Sequence, residues 1–333
     1  MEQSIKYLLK KIPAVNYFYN IRHINDFNKD RRFFVKNYMY SKPVAKEKLD
    51  YDMLFQIHKL EKGFSVTKNL RPFGLREIEK IIDDINKYED NSYEKSFAYN
   101  LAYSALEVYK KFYEEKGWTN KTQYKLVKDF MQGKEDRYVY LPVGAFDYKK
   151  EDFIKEAEAV DYSKFISTRR SIRNFSSKAL SDNDINKAVD AAIKTPTACN
   201  RQMCKIYYMK SDKCRKVVEK YGQGLGLFDL SNANYFVITF DVNANYFMGE
   251  RYQGWFNAGL LTMNFLNSLH SLGIGSCCVQ FGNTFKEEKK FKKELDIPSS
   301  ERVAVIVVAG YYDKVSKIPY STRKPMSEIF RER

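Results

Sequence analysis

The chain has only three histidines and two tryptophans in 333 residues, and its five cysteines include no CxxC pair. Zinc and iron–sulfur centres need several such ligands at short spacing, so neither is expected. All five cysteines, Cys199, Cys204, Cys214, Cys277 and Cys278, lie in the second half beside apolar residues, which suits a reducing cytoplasm. The opening MEQSIKYLLKKIPAVNYF lacks the apolar core of a secretory signal. Long apolar runs are lacking as well. The longest candidate, Val303 to Tyr312, is about half of the roughly 20 residues a helix needs to cross a bilayer, so no transmembrane segment is expected. Internal repeats, low-complexity linkers and recognition-helix or RNA-binding signatures are all missing, which excludes the ordinary nucleic-acid binders. So are a catalytic triad and a paired-carboxylate motif, which points away from chemistry carried by side chains.

What is present is a foldable, aromatic and basic chain. It is 44% hydrophobic and 16% aromatic, with 26 Tyr and 24 Phe, and its length allows two domains or one large domain with an extension. The formal charge of +15 is spread over both halves, 30 basic against 25 acidic residues in 1–160 and 27 against 17 in 161–333. Such a balance suits nucleic acid, an acidic membrane surface or phosphorylated small molecules, and most of it reads as general surface charge.

The grammar changes near residue 160. Before it, GLREIEKIIDDINKY sets Ile78, Ile81, Ile82 and Ile85 on one helical face, and a following helix buries a stripe of Phe97, Leu101, Ala105 and Val108 before stopping at Gly117. LDYDMLFQIHKLEKGF predicts a further helix capped by Gly63. After it, apolar runs at Lys205 to Met209, Tyr235 to Phe240 and Val303 to Val308 predict strands. Helices are expected at Ser181 to Lys194, capped by Ser181, and at Asp212 to Tyr221, Trp255 to Leu272 and Lys286 to Leu295. The expectation is an α+β chain in two parts, a mainly helical region over 1–160 and a mixed sheet flanked by helices over 161–333.

Three stretches could carry chemistry. TRRSIRNF packs Arg169, Arg170 and Arg173 beside Ser171, and an arginine fork with a hydroxyl suits a dianionic phosphate, although a bare RR pair is more often a solvated turn. TPTACNRQ follows Pro196 with small residues and then Asn200 and Gln202, whose amides can read the polar edge of a heterocycle. Finally NAGLLTMNFLNSLHSLGIGSCC runs a long helix into a glycine turn and a strand, while STRKPMSEIF supplies Arg323 and Lys324 near the end. Other features read as decoys. GQGLG, at Gly222, Gly224 and Gly226, follows a helix where a dinucleotide fingerprint would follow a strand. His58 reads as part of a helix face, and His270 as a packed or dimer-facing residue.

The order RRSIRNF, TPTACNRQMC, NAG…LGIGSC and TRKPMSEI resembles that of the nitroreductase family, whose members show RRSxRxF, APSAGNRQPW, a D-x-G helix leading to LGLGS, and RxPLxEI. The resemblance covers roughly residues 163–330. It implies FMN, with Arg169, Arg170, Ser171, Arg323 and Lys324 at the phosphate and ribityl chain. It further implies Arg173 near the pyrimidine edge of the flavin, Asn200 and more weakly Gln202 as contacting amides, and the backbone of Gly275, Ser276 and Cys277 along one flavin face. By the same resemblance NAD(P)H is the reductant, a nitroaromatic, quinone or enone the acceptor, the mechanism ping-pong, and the assembly a homodimer packed through the long helix. Thr197, Met203, Cys204 and Asn257 depart from the family pattern, and they blur the substrate more than the cofactor. Two other readings stand beside this one. One is an interaction or regulatory module whose basic start KYLLKKIPAVNYFYNIR docks on an acidic membrane surface or partner. The other is an enzyme confined to a specialised redox step in surface-polysaccharide assembly, because the extension resembles those of nitroreductase-like proteins from such loci.

Overall fold

A computed structural model describes residues 13–41, 45–66, 70–146, 159–316, 318–319, 321 and 323–333. The N-terminal signal reading and the start of the basic segment fall outside these residues, as does most of the stretch around the expected boundary.

The first half is helical: α1 (Pro13–Asn37), α2 (Lys46–Phe64), α3 (Leu75–Asp90), α4 (Phe97–Glu115) and α5 (Thr122–Met131). In α3 the residues at spacings of three and four, Ile78, Ile81, Ile85 and Tyr88, are buried. α4 opens on Ser96, whose side chain accepts a hydrogen bond from the Tyr99 amide at 3.1 Å, and closes at Lys116. It buries Leu101 and Ala105 as the periodicity predicts, but Phe97 is 56% exposed. Phe97 is the first helical residue, so the stripe begins one turn later than extrapolation suggests. Gly63 also differs from expectation. It lies inside α2, and a Cβ there would run into the Phe73 ring, so its smallness admits a neighbour and does not end the helix. Several tyrosines of this half are core residues with satisfied hydroxyls: Tyr99 and Tyr103 donate to Glu89 Oε1 at 2.8 and 2.6 Å, and Tyr124 donates to Glu114 at 2.9 Å.

The second half is a sheet between helices. After α6 (Tyr162–Thr168) and α7 (Asp182–Ala192) come β1 (Cys204–Tyr208), α8 (Asp212–Tyr221), β2 (Asn234–Asp241), α9 (Gln253–Ser271), β3 (Ile274–Val279), α10 (Phe285–Glu294), β4 (Glu301–Tyr311) and α11 (Met326–Ile329). The strand order is β1-β2-β4-β3, every ladder antiparallel. The parallel component of the expected mixed sheet is a single bridge between Ser171 and Ser276. β2 and most of β4 are buried, as continuous apolar runs require, because helices cover both faces. Phe236, Ile238 and Phe240 face α7 and α9, while Tyr235 and Val237 face α8 and α10. The two halves are not separate in packing: Phe34, Met39 and Tyr51 from the helical half join the core under α7 and α9. No helix among the described residues is long and apolar enough to cross a membrane.

Candidate active site

The arginine-rich start lies on the sheet edge because Ile172 donates its amide to the Ser276 carbonyl at 3.1 Å. The expected Gly-x-Gly-Ser turn is not formed as such. Gly273, with φ of 71°, makes the turn, while Gly275 and Ser276 lie within β3. Gly275 is small for a packing reason, since a Cβ there would meet the Ile172 side chain at 2.9 Å. Ser276 and Cys277 beside it are buried.

Arg169, Arg170 and Ser171 line a cavity of about 180 Å³ together with Ile318, Pro319, Ser321 and Arg323, so residues some 150 positions apart in the chain meet in one place. Arg170 donates to the Ser167 and Arg169 carbonyls, and Arg323 to the Ser321 carbonyl at 2.8 Å. None of these arginines has a carboxylate partner among the described residues. Arg169 Nε is buried with no hydrogen-bond acceptor among the described residues. A buried, unpartnered guanidinium donor is costly unless a ligand completes it. The phosphate of FMN fits this donor set: three guanidinium groups and a hydroxyl around a space below the roughly 300 Å³ of a whole-ligand pocket, and therefore sized for a head group.

The remaining candidates lie outside that cavity's lining. Lys324 is paired with Glu328 at 3.1 Å on the exposed C-terminal helix. Arg173 is half-buried, 5.8 Å over the Phe228 ring, and donates to the Ser171 carbonyl at 3.4 Å. Asn200 and Gln202 are exposed on a short turn in which Cys199, Asn200 and Gln202 all have left-handed backbones, φ 52°, 51° and 50°. Three of four successive residues in that region are strained without glycine, so the turn must be held from outside. Thr197 helps, its hydroxyl accepting from the Gln202 amide at 3.0 Å. Asn264 of α9 donates to Thr195 Oγ1 at 3.0 Å.

The main anchor is Arg201, which the sequence reading passed over between the two amides. Arg201 is fully buried, pairs with both carboxylate oxygens of Glu250 at 2.7 Å and caps the Ala198 and Ala244 carbonyls. Its guanidinium lies 5.6 Å from the Phe55 ring of α2, and Phe55 stacks on Tyr246 at 4.4 Å. The helical half therefore backs the turn that carries Asn200 and Gln202. The only signal for this was an arginine set three residues before an apolar strand.

His270 links the start motif to α9. Its Nε2 lies 2.9 Å from Thr168 Oγ1 and its Nδ1 2.7 Å from Tyr312 Oη. Burial, and to a lesser degree the nearby Arg169 charge, hold its pKa below the usual histidine value. Asn257, standing where the family has aspartate, is buried and accepts from Gln253 at 3.0 Å, leaving its own Nδ2 unpartnered.

The model of the nitroreductase family matches residues 166–225 and 235–311. A protein of Archaeoglobus fulgidus, provisionally named NADH dehydrogenase/NAD(P)H nitroreductase, is 33% identical over 152 residues, covering 44% of this chain and 83% of that protein. The chain belongs to the nitroreductase family. Among solved structures it is similar to a nitroreductase family protein of Streptococcus pneumoniae, at 21% identity, TM-score 0.44, over 52% of this chain and all of that one. An FMN-dependent nitroreductase of Clostridium difficile is 24% identical with a TM-score of 0.38, over 47% of this chain and 91% of that one.

Proposed function

We propose that the protein is an FMN-dependent NAD(P)H oxidoreductase, and the observation that carries this is a cavity lined by Arg169, Arg170 and Arg323, none with a carboxylate partner among the described residues, in a nitroreductase-family chain. FMN, when bound, would supply two-electron redox chemistry between NAD(P)H and a nitroaromatic, quinone or enone acceptor in two separate half-reactions. The chain's own residues bind and orient. Arg169, Arg170 and Arg323 hold the phosphate, with Ser171 adding a hydroxyl. Arg173 would supply a cation for the pyrimidine edge of the flavin. The amides of Asn200 and Gln202 are held ready by the Arg201–Glu250 pair, and no side chain acts as nucleophile.

A homodimer agrees with α9, which leaves Trp255, Phe256 and Met263 substantially exposed along a helix whose other side is core. The full-length protein should purify yellow, or turn yellow with added FMN, and bleach on adding NADPH or NADH. A colourless chain that takes up no FMN would sink the reading. A monomeric hydrodynamic mass with full FMN occupancy would remove the dimer.

A further inference from the structure

On residues that the arginine cavity does not use, α1 and α10 close on one another. Asp26 accepts from the Phe285 amide at 3.3 Å, and Asp30 pairs with Arg302 at 2.6 Å. Between the two helices lies a second cavity of about 720 Å³, within the range of roughly 300–1,000 Å³ typical of small-molecule sites. Part of its lining is aromatic: Phe33 and Phe285 meet edge to face with centroids 5.7 Å apart, and Ile297 joins them.

The charge on the lining is strongly one-sided, six cations against two carboxylates. Arg32 and Lys36 lie one turn apart on α1, and Lys289 and Lys293 one turn apart on α10, so each pair shares a helix face. None of these four has an ion-pair partner among the described residues. Of the two carboxylates one is already engaged, and one of the six cations is already matched. Glu288 is held by Arg302 at 2.9 Å and by the Val303 amide, and Lys29 is matched by Asp26. Asp296 is the one remaining carboxylate.

Lys292 makes this a built site and not merely a basic surface. It is only 6% exposed, sits 5.1 Å from the Phe33 ring, and donates to the Ser299 carbonyl at 3.0 Å and to the Glu301 carbonyl. An ammonium has three N–H donors, so one remains. No carboxylate pairs with it among the described residues, and burial pushes its pKa down. An incoming anion would relieve both conditions.

We propose that this cavity binds a small amphipathic anion, with a phosphate, sulfonate or carboxylate head held by Lys292 and the four unpaired cations and an apolar ring or acyl chain laid against Phe33 and Phe285. A flat lipid surface would meet the outer cations but leave the aromatic lining unfilled, so a free molecule fits better than a membrane. The site needs α1 and would give the helical extension a binding role. It shares no residue with the arginine cavity, so it stands or falls apart from the FMN assignment.

The test titrates full-length protein with anilinonaphthalene sulfonate, then displaces the dye with decyl phosphate below its micellar concentration, with decanol as the uncharged control. Saturable one-to-one binding of decyl phosphate is expected, with decanol weaker by about tenfold or more, the scale of a lost charge-assisted bond. Reversing two exposed cations together, Arg32→Glu with Lys289→Glu, should weaken decyl phosphate by about tenfold or more while leaving the thermal midpoint and FMN affinity unchanged. Lys292→Met should weaken it too. Equal affinity for decanol, an unchanged Kd in the charge-reversed variant, or binding only to phosphatidylglycerol vesicles would each overturn the proposal.

Discussion

Two sets of arginines sit in the same half of this molecule in opposite circumstances. Arg201 is completely buried, and its guanidinium is fully spoken for by Glu250 and two backbone carbonyls. Among the described residues Arg169, Arg170 and Arg323 have local carbonyls at most, and one buried Arg169 donor has nothing. The contrast separates an arginine that holds the fold from one that awaits a ligand: the criterion is donor accounting, not burial or local sequence. Both kinds lie in short polar stretches that look alike on paper.

The comparison breaks most sharply at Arg201. Arg201→Ala leaves Glu250 uncompensated and should cost about 3–5 kcal/mol of stability in denaturant melts, whereas Arg201→Lys should cost less because it keeps the charge. A variant as stable as the parent would place Arg201 with the idle arginines. The second test runs the other way. Arg169→Ala and Arg323→Ala should each weaken FMN by about 1.5–3 kcal/mol in a fluorescence titration, with stability changed by no more than about 0.5 kcal/mol. Unchanged FMN affinity in both would remove the phosphate assignment.

A third experiment asks how far the structural role of Arg201 extends. Phe55→Ala removes the stack on Tyr246 and the ring beside Arg201, a loss of about 0.5–1.5 kcal/mol beyond the buried area. A double-mutant cycle with Arg201→Ala should be non-additive by about 0.5 kcal/mol or more, and strict additivity would deny that α2 braces the turn. The smallest effect concerns His270, which feels the idle charge of Arg169. Because its folded pKa is depressed, the unfolded chain binds the proton more readily. Its contribution to stability is therefore present above the unfolded value near 6.5 and is lost as pH falls below it. Thermal midpoints between pH 8 and pH 5 should fall less steeply in His270→Gln. Bound phosphate should also raise the His270 pKa by offsetting Arg169, which an NMR titration with and without FMN would read.

Much of this architecture was legible from period and punctuation. The α3 face of Ile78, Ile81 and Ile85, the Ser181 cap accepting from the Asp184 amide, and the three apolar strands all follow from local rules. What escaped depended on distant partners. Gly63 and Gly275 look like turn residues until Phe73 and Ile172 are seen against them. The order of four motifs points Arg169 and Arg323 at one ligand, and the two line one cavity. Ile318, Pro319 and Ser321, which close the same cavity, carry no chemical signature of their own. Arg201 was hidden because nothing local distinguishes a paired guanidinium from a free one when its partner, Glu250, lies 49 residues away.

Phe34, Met39 and Tyr51 enter the core beneath α7 and α9 from outside the family-matching segment. A gene trimmed to residues 161–333 would encode a protein with the lid of that core cut away, its greasy underside open to other chains in the cell. Such a fragment should go to inclusion bodies while the full-length chain stays in solution, so anyone expressing only the recognisable half would discard part of its interior.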